Sequence, residues 1–483
     1  MTEFQRQQEV GRESRRNGIF HTLNLQFLKF GVQFISTLFF VRLVTPQQYG
    51  LFAIAVMTVA TIDMVRDFGI NDYSISHSQE YERLSLKILR FVLTNSIVSV
   101  AVLLFISAVC KYIFESTYFS IAFLILTPTP FMNGINNFAR NELLREKRIS
   151  IYWFTDILAS IMSSLVVLLL ARNISGFYLL EMHLLLSSTL LFIFILFYKW
   201  KSIFRKLSRI DCTYLYRESR HFLFNRSIRF YGANSDTLIV GSTLGSTLLG
   251  NYNRAFQLIF APIQQTTESI GNLAISRSLN TAETFNELIN SLKRYHNALL
   301  SFMMPILIFI SLNSKETIQL IYGPNWANYH YTIVILSFGG TLYLNYSLLI
   351  WILLATRQSK RLWNFNLAVN LMLTISFLLA SKFGIYAVCA CIPLCYLLIN
   401  IFAATKQCLV GQLEFGFYFK EYLSKVSASL VTFLLVRLGV DIISNSDQTV
   451  KFFTVAVIYF LAIFLQNSTS FSLLVKRSPV IRL

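Results

Sequence analysis

The chain has 483 residues, of which 54% are hydrophobic and only 14% charged, and a formal net charge of +18. Soluble domains carry about a quarter charged residues, so a soluble enzyme or binding module is excluded and lipid is the solvent of the fold. The basic surplus would suit nucleic acid, but its placement along the chain points to membrane topology instead.

Residues 1–17 are polar and charged, which excludes a cleavable signal peptide with a short apolar stretch at that place. Beyond them, apolar runs of about 20 residues, each enough to span a bilayer, recur to the end. About fourteen spans are expected, at 18–41, 48–70, 86–109, 117–139, 150–171, 175–198, 221–241, 250–274, 294–312, 330–355, 362–380, 384–405, 422–438 and 450–467. With the N-terminus placed in the cytoplasm, 30 of the 42 Lys and Arg fall in or beside inner segments, seven on the outer side and five within spans. Cytoplasmic loops carry such an excess, so both termini are expected inside and nucleic acid is not needed as a partner. The basic stretch 199–220 reads as a cytoplasmic linker. It would join an N-terminal lobe of six spans (1–198) to a C-terminal lobe (221–420), followed by a final helix pair and tail (421–483).

Cysteines number six, and three of them, Cys389, Cys391 and Cys395, share one apolar helix with no His nearby. They read as packing residues rather than a metal site or a disulfide framework. The chain lacks a phosphate-binding Gly-Lys-Ser/Thr loop, an HExxH, a Gly-x-Ser-x-Gly and a paired-Asp glycosyltransferase motif. No cofactor is expected, and an enzyme has poor support.

A faint internal repeat lies at an offset of 200 residues. It pairs His21 with His221, Phe30 with Phe230, Thr37 with Thr237, Gly50 with Gly250 and Ala55 with Ala255, and it sets Lys29 against Arg229. The two helices so related carry polar stripes. In the first span, Thr22, Gln26, Lys29, Gln33 and Thr37 share one face. In the seventh, His221, Asn225, Arg229, Gly232 and Asp236 follow at steps of four, four, three and four, with Arg226 off the stripe. A charge in mid-membrane costs about 2.5–3.5 kcal/mol and faces a cavity or a partner. One reading is that these groups pair with each other or with backbone and hold helices together. The other is an aqueous, substrate-binding cavity between two repeat-related lobes. Gln26, Lys29, Gln33, His221, Asn225, Arg229 and Asp236 are its candidate residues.

Further charges are candidates for gating or coupling. Asp63, Arg66 and Asp67 cluster near the cytoplasmic end of the second span, where Asp63 and Arg66 can pair at i, i+3. Arg254 is expected near the outer surface, and Asp156 and Glu268 read as isolated acids. Glu181 and His183 read as interfacial. Pro128 with Pro130, and Gly339 with Gly340, are expected to interrupt their helices as candidate hinge points, though packing alone would also account for them.

Several segments, in order, resemble the polysaccharide transporter (Wzx-type flippase) family of the multidrug/oligosaccharidyl-lipid/polysaccharide exporter superfamily. They are VRLVTPQQYGLFAIA with DFGI after it, NSDTLIVGSTLGSTLLGNYNRAFQL, IYGPNW and LLATRQSKRLW. The resemblance implies an all-α polytopic fold of two pseudo-symmetric, MATE-like bundles in a bacterial inner membrane, with a cationic central cavity. It implies as substrate an undecaprenyl-pyrophosphate-linked oligosaccharide, flipped by alternating access for O-antigen, capsule or exopolysaccharide assembly. Membrane lipids and the glycan polymerase and chain-length machinery would be its partners. A multidrug or toxin exporter of the same superfamily is the first alternative, though its cavity should be acidic or apolar. A membrane-embedded polysaccharide polymerase is the second, and the short outer loops argue against it.

Overall fold

The computed structural model describes residues 25, 28–76, 81–146, 148–173, 176–203, 212–405, 415–443 and 448–467. Among these the regular structure is helical, with no strand. The chain forms two compact units, Met1–Tyr231 and Gly232–Leu483.

The first unit holds α1 (28–43), α2 (Pro46–Asp67), α3 (Ile70–Ser76), α4 (Tyr81–Tyr112), α5 (Thr117–Leu126), α6 (Thr129–Arg145), α7 (Ile149–Leu170), α8 (Leu179–Ile203) and the N-terminal part of α9 (Thr213–Thr243). The second holds the rest of α9, α10 (Ser246–Thr281), α11 (Phe285–Leu312), α12 (Ser314–Ile321), α13 (His330–Ala355), α14 (Ser359–Ala380), α15 (Ile385–Thr405), α16 (Phe415–Ile443) and α17 (Gln448–Gln466). Of the stretch 199–220, α8 takes up residues 199–203 and α9 begins at Thr213.

Eleven of the described helical stretches are long and apolar enough to cross a membrane. The other three expected spans fall on α1, of which 28–43 is described as helix, and on α9 and α10, which carry six and three charged residues. In the second unit α13 packs on α10, α11 and α15. Its apolar stretch is 72% buried, against 17% for α14, α16 and α17. This makes α13 the axis of the unit and leaves the other three to present apolar side chains to lipid. In the first unit, α4 and α6 pack together and α8 packs on α6 and α7, around cores such as Ile135, Ala139, Leu143, Tyr152 and Ile195.

Two expected interruptions have different outcomes. The chain does break at Thr127–Pro128, between α5 and α6. Pro130 lacks the N–H that would have bonded the Leu126 carbonyl, and the Thr129 hydroxyl donates to that carbonyl instead at 2.7 Å. By contrast α13 runs unbroken through Gly339 and Gly340. These glycines serve close packing: a Cβ would stand 2.9 Å from Ile392 Cγ2 at the first and 2.7 Å from Ile263 Cδ1 at the second.

Helix α2 starts with a full capping box. The Thr45 hydroxyl accepts from Gln48 N–H, and the Gln48 side chain accepts from Thr45 N–H at 2.9 Å. This fixes the start of the helix that carries the Asp63–Arg66–Asp67 cluster.

Candidate functional site

Helix α2 ends at Asp67, and two residues with positive φ follow, Phe68 (44°) and Gly69 (76°). A left-handed phenylalanine is uncommon. Here it is held by ring contacts, with Tyr216 at 5.4 Å and Phe91 at 6.3 Å. Gly69 lies directly beneath α9: a Cβ there would stand 2.6 Å from Phe222 Cβ and 2.7 Å from the Leu223 nitrogen. The D-F-G-I elbow is therefore the seat on which the first part of α9 rests.

Around this seat lies a connected set of charges within the first unit. Arg66 is 3% exposed and donates to Asp63 at 2.8 Å and to the Pro130 carbonyl at 2.5 Å. Asn133 donates to the other Asp63 oxygen at 3.1 Å. Asp67, 4% exposed, accepts from Asn71 at 2.6 Å and forms an ion pair with Arg226. Asn141 extends the chain to Asn71 at 2.6 Å. Asn95 donates to the Arg66 carbonyl at 3.1 Å and accepts from the Tyr216 hydroxyl at 2.5 Å. Arg229 reaches Asp72 at 3.5 Å, with its side chain 70% exposed. Arg226 was set aside in the sequence because it lies off the polar stripe, yet it is the residue that neutralises the buried Asp67.

Lys29 and Asp156 form an ion pair joining α1 to α7. Asp156 is thus not the isolated acid that the sequence suggested; its partner lies 127 residues away. Lys29 also stands 5.4 Å from the Trp153 ring, a cation–π distance. A second link, Ser164 to Ser36 at 2.9 Å, continues to His183 at 3.0 Å. Contact numbers rise together on both helices, from 29 and 156 to 36 and 164, so α1 and α7 run parallel. Gln33 is exposed on α1, and Gln26 lies outside the described residues.

His221 and Asn225 are exposed one turn apart on α9, in line with Arg229. Asp236 falls in the second unit and is buried. It accepts from the Tyr252 hydroxyl and from Thr237 N–H, both at 2.7 Å, which ties the end of α9 to α10. Arg254, expected near the outer surface, is 5% exposed and donates to Gln257 at 3.1 Å. Glu268 is exposed on α10 and lines a cavity against α13. Glu181, expected at the interface, is fully buried and accepts from the Tyr118 hydroxyl.

Long apolar helices stitched by buried ion pairs and hydroxyl links define a multi-span membrane protein. The sequence model of the family described as polysaccharide biosynthesis protein matches residues 39–330, more than half of the chain, and the chain belongs to that family. No curated protein matches it. Among solved structures it is similar to the lipid II flippase MurJ in an inward closed conformation. The TM-score is 0.70 at 15% identity, covering 94% of this chain and 99% of that one. It is also similar to an inward-facing multidrug resistance MATE family transporter of the MOP superfamily, with a TM-score of 0.54 at 12% identity, covering 84% and 95%. At these identities the likeness is one of fold.

Proposed function

We propose that this protein is a non-enzymatic flippase of a bacterial inner membrane. It would carry an undecaprenyl-pyrophosphate-linked oligosaccharide from the inner to the outer leaflet by alternating access, for O-antigen, capsule or exopolysaccharide assembly. The observation that carries the reading, beside family membership, is the outward face of α9. His221, Asn225 and Arg229 are all exposed on a helix within the expected membrane depth. Facing hydrocarbon, an arginine there would cost about 2.5–3.5 kcal/mol, so this face must meet water or an anionic ligand.

The geometry ranks the cations. Lys29, Arg66, Arg226 and Arg229 each hold a carboxylate. Arg229 has the longest and most exposed of the four pairs, and exposed pairs contribute little. A pyrophosphate therefore displaces Asp72 from Arg229 most readily, through charge-assisted hydrogen bonds. Lys29 would follow as a second anchor, at the expense of its bond to Asp156.

The test is complementation of strains lacking a defined flippase, scored by surface glycan, with Arg229→Ala in parallel. Restoration by the parent chain and its loss in Arg229→Ala at equal membrane abundance is expected. Failure of the parent to restore any flippase-dependent glycan, together with raised drug resistance, would overturn the reading in favour of a drug exporter.

A further inference from the structure

Helices α10 and α13 of the second unit line a half-open cavity of about 370 Å³, within the range of about 300–1,000 Å³ seen for small-ligand sites. From α10 it is lined by Gln264, Glu268 and Asn272, and from α13 by Tyr343, Ser347 and Trp351. The three α10 residues are spaced at i, i+4 and i+8 on one helix face, and all three are exposed. A carboxylate and two amides in a row cannot face hydrocarbon cheaply. They call for water or for a polar ligand.

The opposite wall is aromatic and fixed. Trp351 is 3% exposed and meets the ring of His296 edge-on, at 6.0 Å and 88°. His296 Nε2 is in turn 2.9 Å from the Leu344 carbonyl oxygen. On the α10 side, Gly271 leaves the room the indole needs: a Cβ there would stand 2.7 Å from Trp351 Cε2. A phenol backed by a rigid indole and facing two amides and a carboxylate matches one ligand chemistry well. A pyranose ring has an apolar C–H face, which packs on aromatic rings. Its rim of hydroxyls pairs with amide and carboxylate groups. Preformed walls spare the ordering cost of binding.

We propose that this cavity binds a sugar ring of the lipid-linked glycan, resting on the flippase reading above. Tyr343 supplies the stacking face, backed by the buried Trp351, and Gln264, Glu268 and Asn272 supply the hydrogen bonds. Glu268 is the only charged residue lining it among the described residues, so the site takes a neutral or amino sugar and repels a uronic acid.

The experiment titrates the full chain in nanodiscs with three short-chain polyprenyl diphosphates. One is bare, one carries N-acetylglucosamine and one carries glucuronate. The N-acetylglucosamine compound is expected to bind about tenfold more tightly than the bare one, and the glucuronate compound no more tightly. Glu268→Gln and Asn272→Leu change exposed positions and leave the core intact. Each should remove most of the tenfold gain while leaving the affinity for bare diphosphate unchanged. Tyr343→Leu, which removes the accessible ring from the wall, should also reduce the gain. Equal binding of bare and N-acetylglucosaminyl compounds overturns the sugar site. So does a gain that survives Glu268→Gln even though transport is lost, because the carboxylate then serves coupling. Binding of none of the three overturns the flippase reading itself.

Discussion

Replacing Lys29 with Met strips Asp156, a carboxylate only 7% exposed, of its one ion-pair partner among the described residues. A buried charge left alone in this way destabilises by about 3–5 kcal/mol. The Lys29 side chain keeps 27% of its surface exposed, so solvent screens part of that, and the expected loss is about 2–4 kcal/mol. Adding Asp156→Asn removes the stranded charge, and the double variant should return to within about 1 kcal/mol of the parent. Thermal unfolding of the purified protein in detergent, read by size-exclusion chromatography, measures this arm. Complementation by surface glycan measures the other. Stability should recover in the double variant, and transport should not, because the amine proposed to meet the pyrophosphate is still missing. Restored transport in the double variant would reduce Lys29 to a structural tie between α1 and α7. An undiminished melting temperature in Lys29→Met would mean that the ion pair contributes nothing.

Gly69→Ala forces a Cβ against the backbone of α9 at positive φ, and should destabilise by about 2–5 kcal/mol from strain and overpacking together. Gly245→Ala is its control, since φ there is 86° with nothing within 4 Å of the added carbon. It should lose only the backbone share, about 1–2 kcal/mol; equal melting shifts would refute the seating of α9 on the elbow. Arg226→Ala leaves Asp67 buried without its cation and should destabilise by about 2–4 kcal/mol. Arg229→Ala, at an exposed pair, should change stability by less than about 0.5 kcal/mol while lowering flipping, and the two variants compared by unfolding check that split. Tyr118→Phe removes the donor to fully buried Glu181, whose Oε2 has no hydrogen-bond partner among the described residues. A loss of about 1–3 kcal/mol is expected in the same unfolding assay; no loss would mean that Glu181 finds another donor.

Composition and hydropathy were enough to read a polytopic helical membrane protein, because apolar runs of span length have few other uses. The D-F-G-I turn was visible as a motif, and Asp63 and Arg66 could be paired because they lie on the same helix. Partners across helices were out of reach. Lys29 meets Asp156 across 127 residues, and Arg226 meets Asp67 across 159. Helical periodicity tells which face a residue occupies, not which helix lies opposite. For the same reason Arg226 looked marginal: it is off the stripe of its own helix but aligned with the elbow of another. Glu181 was read as solvated at the interface because nearness to the end of an apolar run looks the same whether the end meets headgroups or protein. Gly339 and Gly340 looked like breakers, since a sequence does not distinguish a glycine that bends a helix from one that lets a neighbour close in.

Helix α10 has 36 residues, about 54 Å at 1.5 Å per residue, against a hydrocarbon core of about 30 Å. It must extend beyond the membrane. The hydrogen bond from Ser278 to Ser291, 2.8 Å, clasps it to α11 near their shared turn. With the N-terminus in the cytoplasm, as the loop-charge bias leads one to expect, that turn would be cytoplasmic. Trp351 lies four residues before the end of α13 at Ala355, about one helical turn from the same side. On that topology and the sugar-site proposal, the α10–α13 cavity would be a reading head at the inner threshold of the membrane. A glycan would be inspected on arrival, before any part of it has left the cytoplasmic leaflet. Discrimination placed there would act on pickup and not on passage, so that a mismatched substrate would be turned away without the carrier having to complete and reverse a crossing.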